Sequence, residues 1–416
     1  MKKERVIFIL IILIILVGAV LLGGRENTYD KSKEKKQQTE QTVSRSEKNS
    51  RLCKIKKLPV HETRKTVKIP EQYRHQLTML NGDSKYLYFS YSKKTDSDNG
   101  KWRTFKADRK TGKITKFQDI SSSINTVMVG YNGDMYCGAM NEDDTEYQIL
   151  RYTAKGHKVI YERCGVHDPE TIVAGSKLVM IFSNDDNLGS TIEKLVVLDL
   201  DTVKTIVADT AEYKKAEGDF PLITGTWLTG LSCVQSTLTK DGFCYEKCDF
   251  NGESEYTLHA GRNKAYYYSF ETGKKTELNT PDGALEYING TPELYISSTQ
   301  ASADEDGGSA DIFIKEKDKY REINLNSIVD VNVDGTILSC AMAGPDHIVF
   351  ESSEEGFYIV GLESLKWYNG RFAGEDGNYP GAYDEFAGSF GDNDKKTYTF
   401  MTKDGNTYML HTLSGR

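Results

Sequence analysis

Carboxylates spaced two residues apart recur in short glycine-containing stretches: Asp96 and Asp98 in TDSDNGK, and Asp304 and Asp306 in ADEDGGSAD. Side chains of this type at this spacing ligate hard cations through oxygen. Neither stretch completes D-x-D-x-D-G with a distal glutamate. The pattern therefore admits a structural calcium ion at one or two loops, and it is more simply read as hairpin turns in which Asp, Asn and Gly tolerate the backbone geometry. No G-x-S-x-G elbow, phosphate-binding loop or G-x-G-x-x-G occurs, so no catalytic residue is assigned, and the reading leans away from an enzyme.

Aromatic residues concentrate in two long joining segments. KWYNGRFAGEDGNYPGAYDEF carries Trp367, Tyr368, Phe372, Tyr379 and Tyr383, and EYKKAEGDFPLITGTW ends at Trp227. Such rings suit sugar faces or peptide side chains, and long loops in compact domains are often functional. They could equally cap a channel. The seven cysteines fall at irregular spacings that do not form a disulfide framework. In LSCVQSTLTKDGFCYEKC, a turn centred on Lys240 and Asp241 would place Cys233 opposite Cys248 and permit a cross-strand disulfide. Cys244 and Cys248 on one strand would stand about 13 Å apart, too far to share a zinc ion.

The elements that must position these groups repeat along the chain. An apolar-alternating run ends at a glycine turn, and a Tyr-rich or Val-rich strand such as YLYFSYS or KLVMIFS follows. The anchors are Gly82, Gly133, Gly175, Gly242, Gly290, Gly344 and Gly391, with a mean interval of 51.5 residues over six intervals. That is near the period of a four-stranded propeller blade with long loops. A glycine at such a turn is expected to supply a positive φ. The spacing predicts an all-β chain folded as a β-propeller of seven blades, each with four antiparallel strands; six or eight blades and a pair of β-sandwiches are the rivals. KTVKIP, Lys65 to Pro70, is expected to add to the last blade and close the ring.

Residues 1–24 comprise a short basic head and an uncharged run from Val6 to Gly24, long enough for one transmembrane helix. A cleaved signal peptide is the alternative. Residues 25–64 are polar and mixed in charge, the composition of a disordered stalk, and residues 65–416 are assigned to the propeller. Residues 1–74 hold 18 Lys and Arg against 8 Asp and Glu, which leaves 35 against 53 for the remainder. Strong acidity in the folded part argues against a nucleic-acid partner. The carboxylate-bearing connections should share one face and attract cations or a basic partner. The head before the apolar run favours a cytoplasmic N-terminus, with the propeller outside the cell membrane.

Two stretches carry a resemblance to a known group. Lys106-Ala107-Asp108 with Gly112-Lys113, and Tyr268-Ser269-Phe270 with Gly273-Lys274, each follow a YLYFSYS-type strand and polar loop. This unit resembles the TolB-like extracytoplasmic propeller repeats of Gram-positive bacteria, over about residues 75–416. The resemblance implies a binding or scaffolding role and supplies no catalytic residue. The chain is thus expected to bind a peptide, cell-wall glycan or protein partner. The alternative is a cell-surface carbohydrate-active hydrolase or lyase using carboxylates at the channel mouth.

Overall fold

The computed structural model describes residues 58–92, 102–120, 128–141, 143, 145–164, 170–185, 190–215, 223–229, 240–251, 263–278, 288–290, 294–299, 309–317, 319–324, 337–352, 356–373, 383–392 and 394–416. Among them, regular structure consists of β-strands and one 3-10 turn, Glu71–Tyr73. The strands follow one another as antiparallel meanders. After β1 (His61–Val67) come β2 (Thr78–Gly82), β3 (Tyr86–Tyr91), β4 (Arg103–Asp108) and β5 (Ile114–Lys116), then β6 (Met128–Tyr131), β7 (Asp134–Met140), β8 (Glu146–Thr153) and β9 (Gly156–Cys164). The next group is β10 (Glu170–Ala174), β11 (Lys177–Asp185), β12 (Ser190–Asp199) and β13 (Thr205–Lys215), followed by β14 (Ile223–Thr229), β15 (Gly242–Asn251), β16 (Asn263–Ser269) and β17 (Lys275–Glu277). The chain continues through β18 (Ile288–Gly290), β19 (Leu294–Thr299), β20 (Ser309–Glu316) and β21 (Lys319–Asn324), then β22 (Ile337–Met342), β23 (His347–Ser352), β24 (Gly356–Gly361) and β25 (Trp367–Ala373). It ends with β26 (Tyr383–Asp392), β27 (Thr397–Asp404) and β28 (Thr407–Ser414).

Three groups stand as separate four-stranded sheets, and the rest join into two eight-stranded ones. The joins are narrow. β13 meets β14 only through Tyr213, Lys214 and Lys215, and β25 meets β26 in parallel through Phe372 opposite Tyr383 and Ala373 opposite Glu385.

The middle strands read as continuous apolar runs because sheets cover both of their faces. Every residue of β24 is buried, whereas β17, at an outer edge, is exposed throughout. Apolar clusters fill the spaces between successive groups. One joins β2–β5 to β6–β9 through Tyr88, Phe117 and Met135, and the next joins β6–β9 to β10–β13 through Tyr147 and Phe182. Val197 and Phe243, then Cys244 and Phe313, then Ile312 and Phe350, then Phe357 and Phe400 carry the series onward. The last cluster brings Met401, Tyr408 and Leu410 of the final group back to Phe89 and Phe105 of the first. Sheets packed face to face in a closed cycle are a β-propeller. The first strands lie nearest its axis, where adjacent sheets converge: β26 packs against both β22 and β2, and β2 against β6.

Closure is made by β1, which pairs with β28 from His61 opposite Ser414 to Val67 opposite Tyr408. The closing strand therefore starts at His61, earlier than the expected Lys65, and takes in residues 61–64 that composition assigned to the stalk. A strand of alternating polar residues, HETRKTV, has little apolar signal because it covers an edge rather than a core.

The glycine anchors lie at or beside the first turn of their groups, but for two reasons. Gly133, Gly175 and Gly344 have positive φ, as the turn requires. Gly82 and Gly242 do not. A Cβ on Gly82 would press on Phe390 and Leu87, and one on Gly242 would meet Tyr267 and the Tyr268 carbonyl.

The D-x-x-x-G-K stretch is a second device. Asp108 accepts backbone N–H groups from Lys110 and Thr111 on its Oδ1, while the Gly112 N–H bonds back to the Asp108 carbonyl. The same backbone pattern recurs from Asp199 to Lys204, Ser269 to Lys274 and Gly361 to Lys366.

Candidate functional site

Strand direction sorts the connections into two sets. Those after the first and third strands of each group emerge at one end, and they are mostly tight turns. Those after the second and fourth strands emerge at the other end and include the long segments 93–102, 252–262, 300–308, 325–336 and 374–382. This loop-rich end is the candidate functional face. Asp96, Asp98, Asp304, Asp306 and Tyr379 belong to its connections by sequence, and all five lie outside the described residues. Among the described residues, no group of three or more His, Cys, Asp or Glu side chains could hold a metal ion.

Inside the ring, ionisable groups tie one sheet to the next. Asp209 on β13 accepts the Tyr245 hydroxyl at 2.7 Å and is ringed by the ammonium groups of Lys275 and Lys247. Burial alone would raise its pKa; hydrogen bonds from Lys275, Tyr245 and Lys247 prevail and hold it below the ordinary carboxylate range. Asp83 takes the Tyr88 hydroxyl at 2.6 Å, and that oxygen in turn accepts the Gly133 N–H of the next sheet at 2.7 Å. Asn81 grips the Gly130 peptide from both sides, donating to its carbonyl at 2.8 Å and accepting its N–H at 2.9 Å. Glu193, only 1% exposed, accepts the Leu228 N–H at 2.6 Å on one oxygen and the Ser183 hydroxyl at 3.1 Å on the other. Both oxygens are thus engaged, so this carboxylate is a fastener rather than a free acid or base.

The aromatic set is distributed over several strands. Trp227 is half-buried on β14 with its ring 6.0 Å from that of Tyr213. Trp367 packs 6.2 Å from Tyr358 in the cluster between β18–β21 and β22–β25, while its neighbour Tyr368 packs into the following cluster. Consecutive strand residues face opposite ways, so these two rings serve two interfaces. Phe372 and Tyr383 are brought directly opposite each other where β25 meets β26.

The expected opposition of Cys233 and Cys248 is corrected by the register. Trp227, not Cys233, lies opposite Cys248. The pairing sum is 475 where a tight turn at Lys240 and Asp241 would require 481, because β14 ends at Thr229 and a longer connection precedes β15.

Sequence reasoning also passed over Trp102. It sits at the loop-rich end just before β4, is 46% exposed, and exchanges backbone hydrogen bonds of 3.1 and 2.8 Å with Ile120.

No protein-family model matches the chain, and no curated protein matches it in sequence. Among solved structures, the chain is similar to the β-propeller domain of the Trilobed protease from Pyrococcus furiosus, at 11% identity and a TM-score of 0.48, covering 84% of this chain and 95% of that one. An oligogalacturonate lyase in complex with manganese gives 11% and 0.44, covering 86% and 99%. BamB from Moraxella catarrhalis gives 8% and 0.38, also covering 86% and 99%.

Proposed function

We propose that the chain is a seven-bladed propeller of the TolB-like, Gram-positive extracytoplasmic kind, carried outside the cell on one N-terminal membrane-spanning helix. It binds a peptide, wall glycan or protein partner through its loop-rich end. The blade count is supported by the unbroken cycle of apolar clusters between successive groups. The expected span, Val6 to Gly24, lies outside the described residues; among those described, no helix is long and apolar enough to cross a membrane.

One observation carries the binding reading. Asp209, Asp83 and Glu193 inside the ring are committed to fastening sheets, while strand direction sets most of the long connections, with their acidic residues, at one end. A rigid ring with variable loops on one face is a common way to build a recognition surface. The bound ligand remains chemically unchanged in this reading.

Glycan and peptide arrays probed with the full chain test it. Binding without turnover is the expected result. Turnover of a carbohydrate, abolished by a single Asp→Asn or Glu→Gln change at the loop-rich end, would establish the hydrolase or lyase alternative instead. Protease treatment of intact cells should remove the propeller and leave the head protected; the reverse pattern would reject the orientation.

A further inference from the structure

In six successive groups the third strand turns into the fourth at the short-turn end, and each of these turns carries an exposed lysine: Lys113, Lys155, Lys204, Lys274, Lys317 and Lys366. Third and fourth strands lie farthest from the axis, so these ammonium groups stand around the outer rim. None of them forms an ion pair among the described residues. In the last group β1 takes the place of the fourth strand. It runs antiparallel to β28 with His61 opposite Ser414, so residues 1–57 join the ring at this same end, where Arg416 donates to the Leu58 carbonyl. The two ends differ in charge. By sequence, the connections at the loop-rich end hold 6 Lys and Arg against 24 Asp and Glu, and those at the short-turn end hold 12 against 9.

A second feature of the rim is independent of charge. Four of its turns close alike: the N–H of Gly112, Val203, Gly273 and Leu365 bonds back to the carbonyl four residues earlier, and each of the four has a positive φ, at +72°, +58°, +64° and +51°. Each is followed directly by a rim lysine. Glycine is the residue this conformation favours. Val203 and Leu365 instead hold apolar side chains there, 38% and 41% exposed, so little packing offsets their strain. Ile206 and Val207, 57% and 54% exposed, extend the apolar patch beside Val203. Strained apolar tips held in water beside ammonium groups are explained when an interface takes up both.

An anionic bilayer surface has the two complementary features: phosphate headgroups for the lysines and an apolar boundary just beneath them for short hydrophobic tips. We propose that the short-turn end docks on the anionic leaflet from which the chain is displayed, with the lysine rim on the headgroups and Val203 and Leu365 reaching the acyl boundary. The acidic loop-rich end is repelled from that surface and faces away, which leaves its connections open to a partner. The inference rests on the membrane-anchored reading above and adds the orientation of the ring on the surface.

Lysine acetylation of the full chain in lipid nanodiscs, read by peptide mass analysis, tests it. In discs with about 30% phosphatidylglycerol at low salt, Lys204 and Lys366 should acetylate about 5-fold more slowly than in discs of phosphatidylcholine alone. Lys68, exposed just after β1 at the loop-rich end, should react equally in both. The protection should disappear in about 0.5 M salt. Val203→Gly with Leu365→Gly should lose roughly half of it while unfolding at the same temperature or higher. Lys113→Gln with Lys274→Gln, which leaves the apolar tips intact, should also weaken protection at Lys204 and Lys366. Equal acetylation in both kinds of disc, or protection of Lys68 in place of the rim, would overturn the docking alone. Unchanged protection in the double glycine variant would overturn the part given to the two tips. Failure of the chain to co-purify with discs of either composition would overturn the anchored reading, and the docking with it.

Discussion

The backbone N–H of Lys240 donates to Oδ2 of Asp394 across 3.1 Å, joining the turn before β15 to the turn before β27. These turns belong to groups that are not neighbours along the chain, so the bond reaches across the short-turn end of the ring. Gly175, in the turn before β11, packs on Lys240 as well. Burial raises the Asp394 pKa, nearby Asp392 and Asp241 add to the rise, and the Lys240 N–H opposes it. The ionised carboxylate therefore costs stability above its folded-state pKa, and that cost disappears as pH falls through it. Asp394→Asn should keep the acceptor and match or exceed wild-type stability at pH 7, the gap closing in acid. Asp394→Ala should be less stable by about 1 kcal/mol. Thermal unfolding across pH 3–8 checks both; an Asn variant as unstable as the Ala variant would mean the charge itself holds the contact.

Closure by β1 makes a pH prediction of opposite sign. Glu62 accepts from His411 Nδ1 at 2.8 Å, and Arg64 bonds both oxygens of the same carboxylate. Burial pushes the Glu62 pKa up, but the hydrogen bonds from His411 and Arg64 outweigh it and hold it below the usual value. This stabilisation is present above the unfolded pKa and is lost as pH falls through the lower folded one. Glu62→Gln should cost about 1 kcal/mol at pH 7, a figure already discounted for partial exposure, and progressively less as pH falls through the folded pKa. Deleting residues 1–67 should do far more, since it exposes the β28 edge and uncovers the cluster beneath. Retention of full stability by that truncated chain would refute closure by β1.

Gly130 shows how tightly adjacent sheets meet near the axis. A Cβ there would lie within the Tyr88 ring, which is fully buried and bonded through its hydroxyl to both Asp83 and Gly133. The ring cannot withdraw without breaking those bonds. Gly130→Ala should therefore destabilise by roughly 3 kcal/mol, at the upper end of overpacking costs, and the double variant Gly130→Ala with Tyr88→Ala should recover part of it. Chemical denaturation of the three proteins decides the matter, and additive losses would mean the two residues do not meet.

Val203 occupies the position that glycine holds in two sister turns. Its φ is +58°, against +72° at Gly112 and +64° at Gly273, and its side chain is 38% exposed. A β-branched residue is strained in that region, and little packing offsets the strain. Val203→Gly should raise stability by about 1 kcal/mol, the left-handed penalty less the entropy glycine loses on folding. A lower unfolding temperature would show that the Val203 side chain packs more usefully than its exposure indicates.

The repeat was legible because strands buried on both faces leave long apolar runs: KLVMIFS and YLYFSYS announce themselves whatever surrounds them. Turn chemistry was legible where one residue type does the work, as at Gly133 and Gly344. The closing strand was placed late because HETRKTV covers an edge, and its fit depends on a partner more than 340 residues away. Register failed at Cys248 because a turn position was inferred from Lys240 and Asp241 alone, whereas the pairing follows from where β14 stops. The fasteners were hidden for a related reason. Nothing local to Asp209 or Glu193 distinguishes them from solvated acids; only the arrival of Tyr245 or the Leu228 amide from the next sheet does.

A buried thiol offers a reporter of ring integrity. Cys137 is 1% exposed and forms no disulfide. Burial pushes the Cys137 thiol pKa well above its ordinary value, so the reactive thiolate is scarce as well as inaccessible. It lies in the cluster between neighbouring sheets, so local fraying of a loop does not reach it. Iodoacetamide labelling followed by peptide mass analysis should thus leave this position unmodified in the native chain. In the chain lacking residues 1–67 it should label at least ten times faster, because opening the closure lets adjacent sheets separate in turn. Labelling of Cys137 at the rate of a free peptide thiol in the intact chain would mean that the sheets part independently, and the closed cycle of interfaces would not describe the protein in solution.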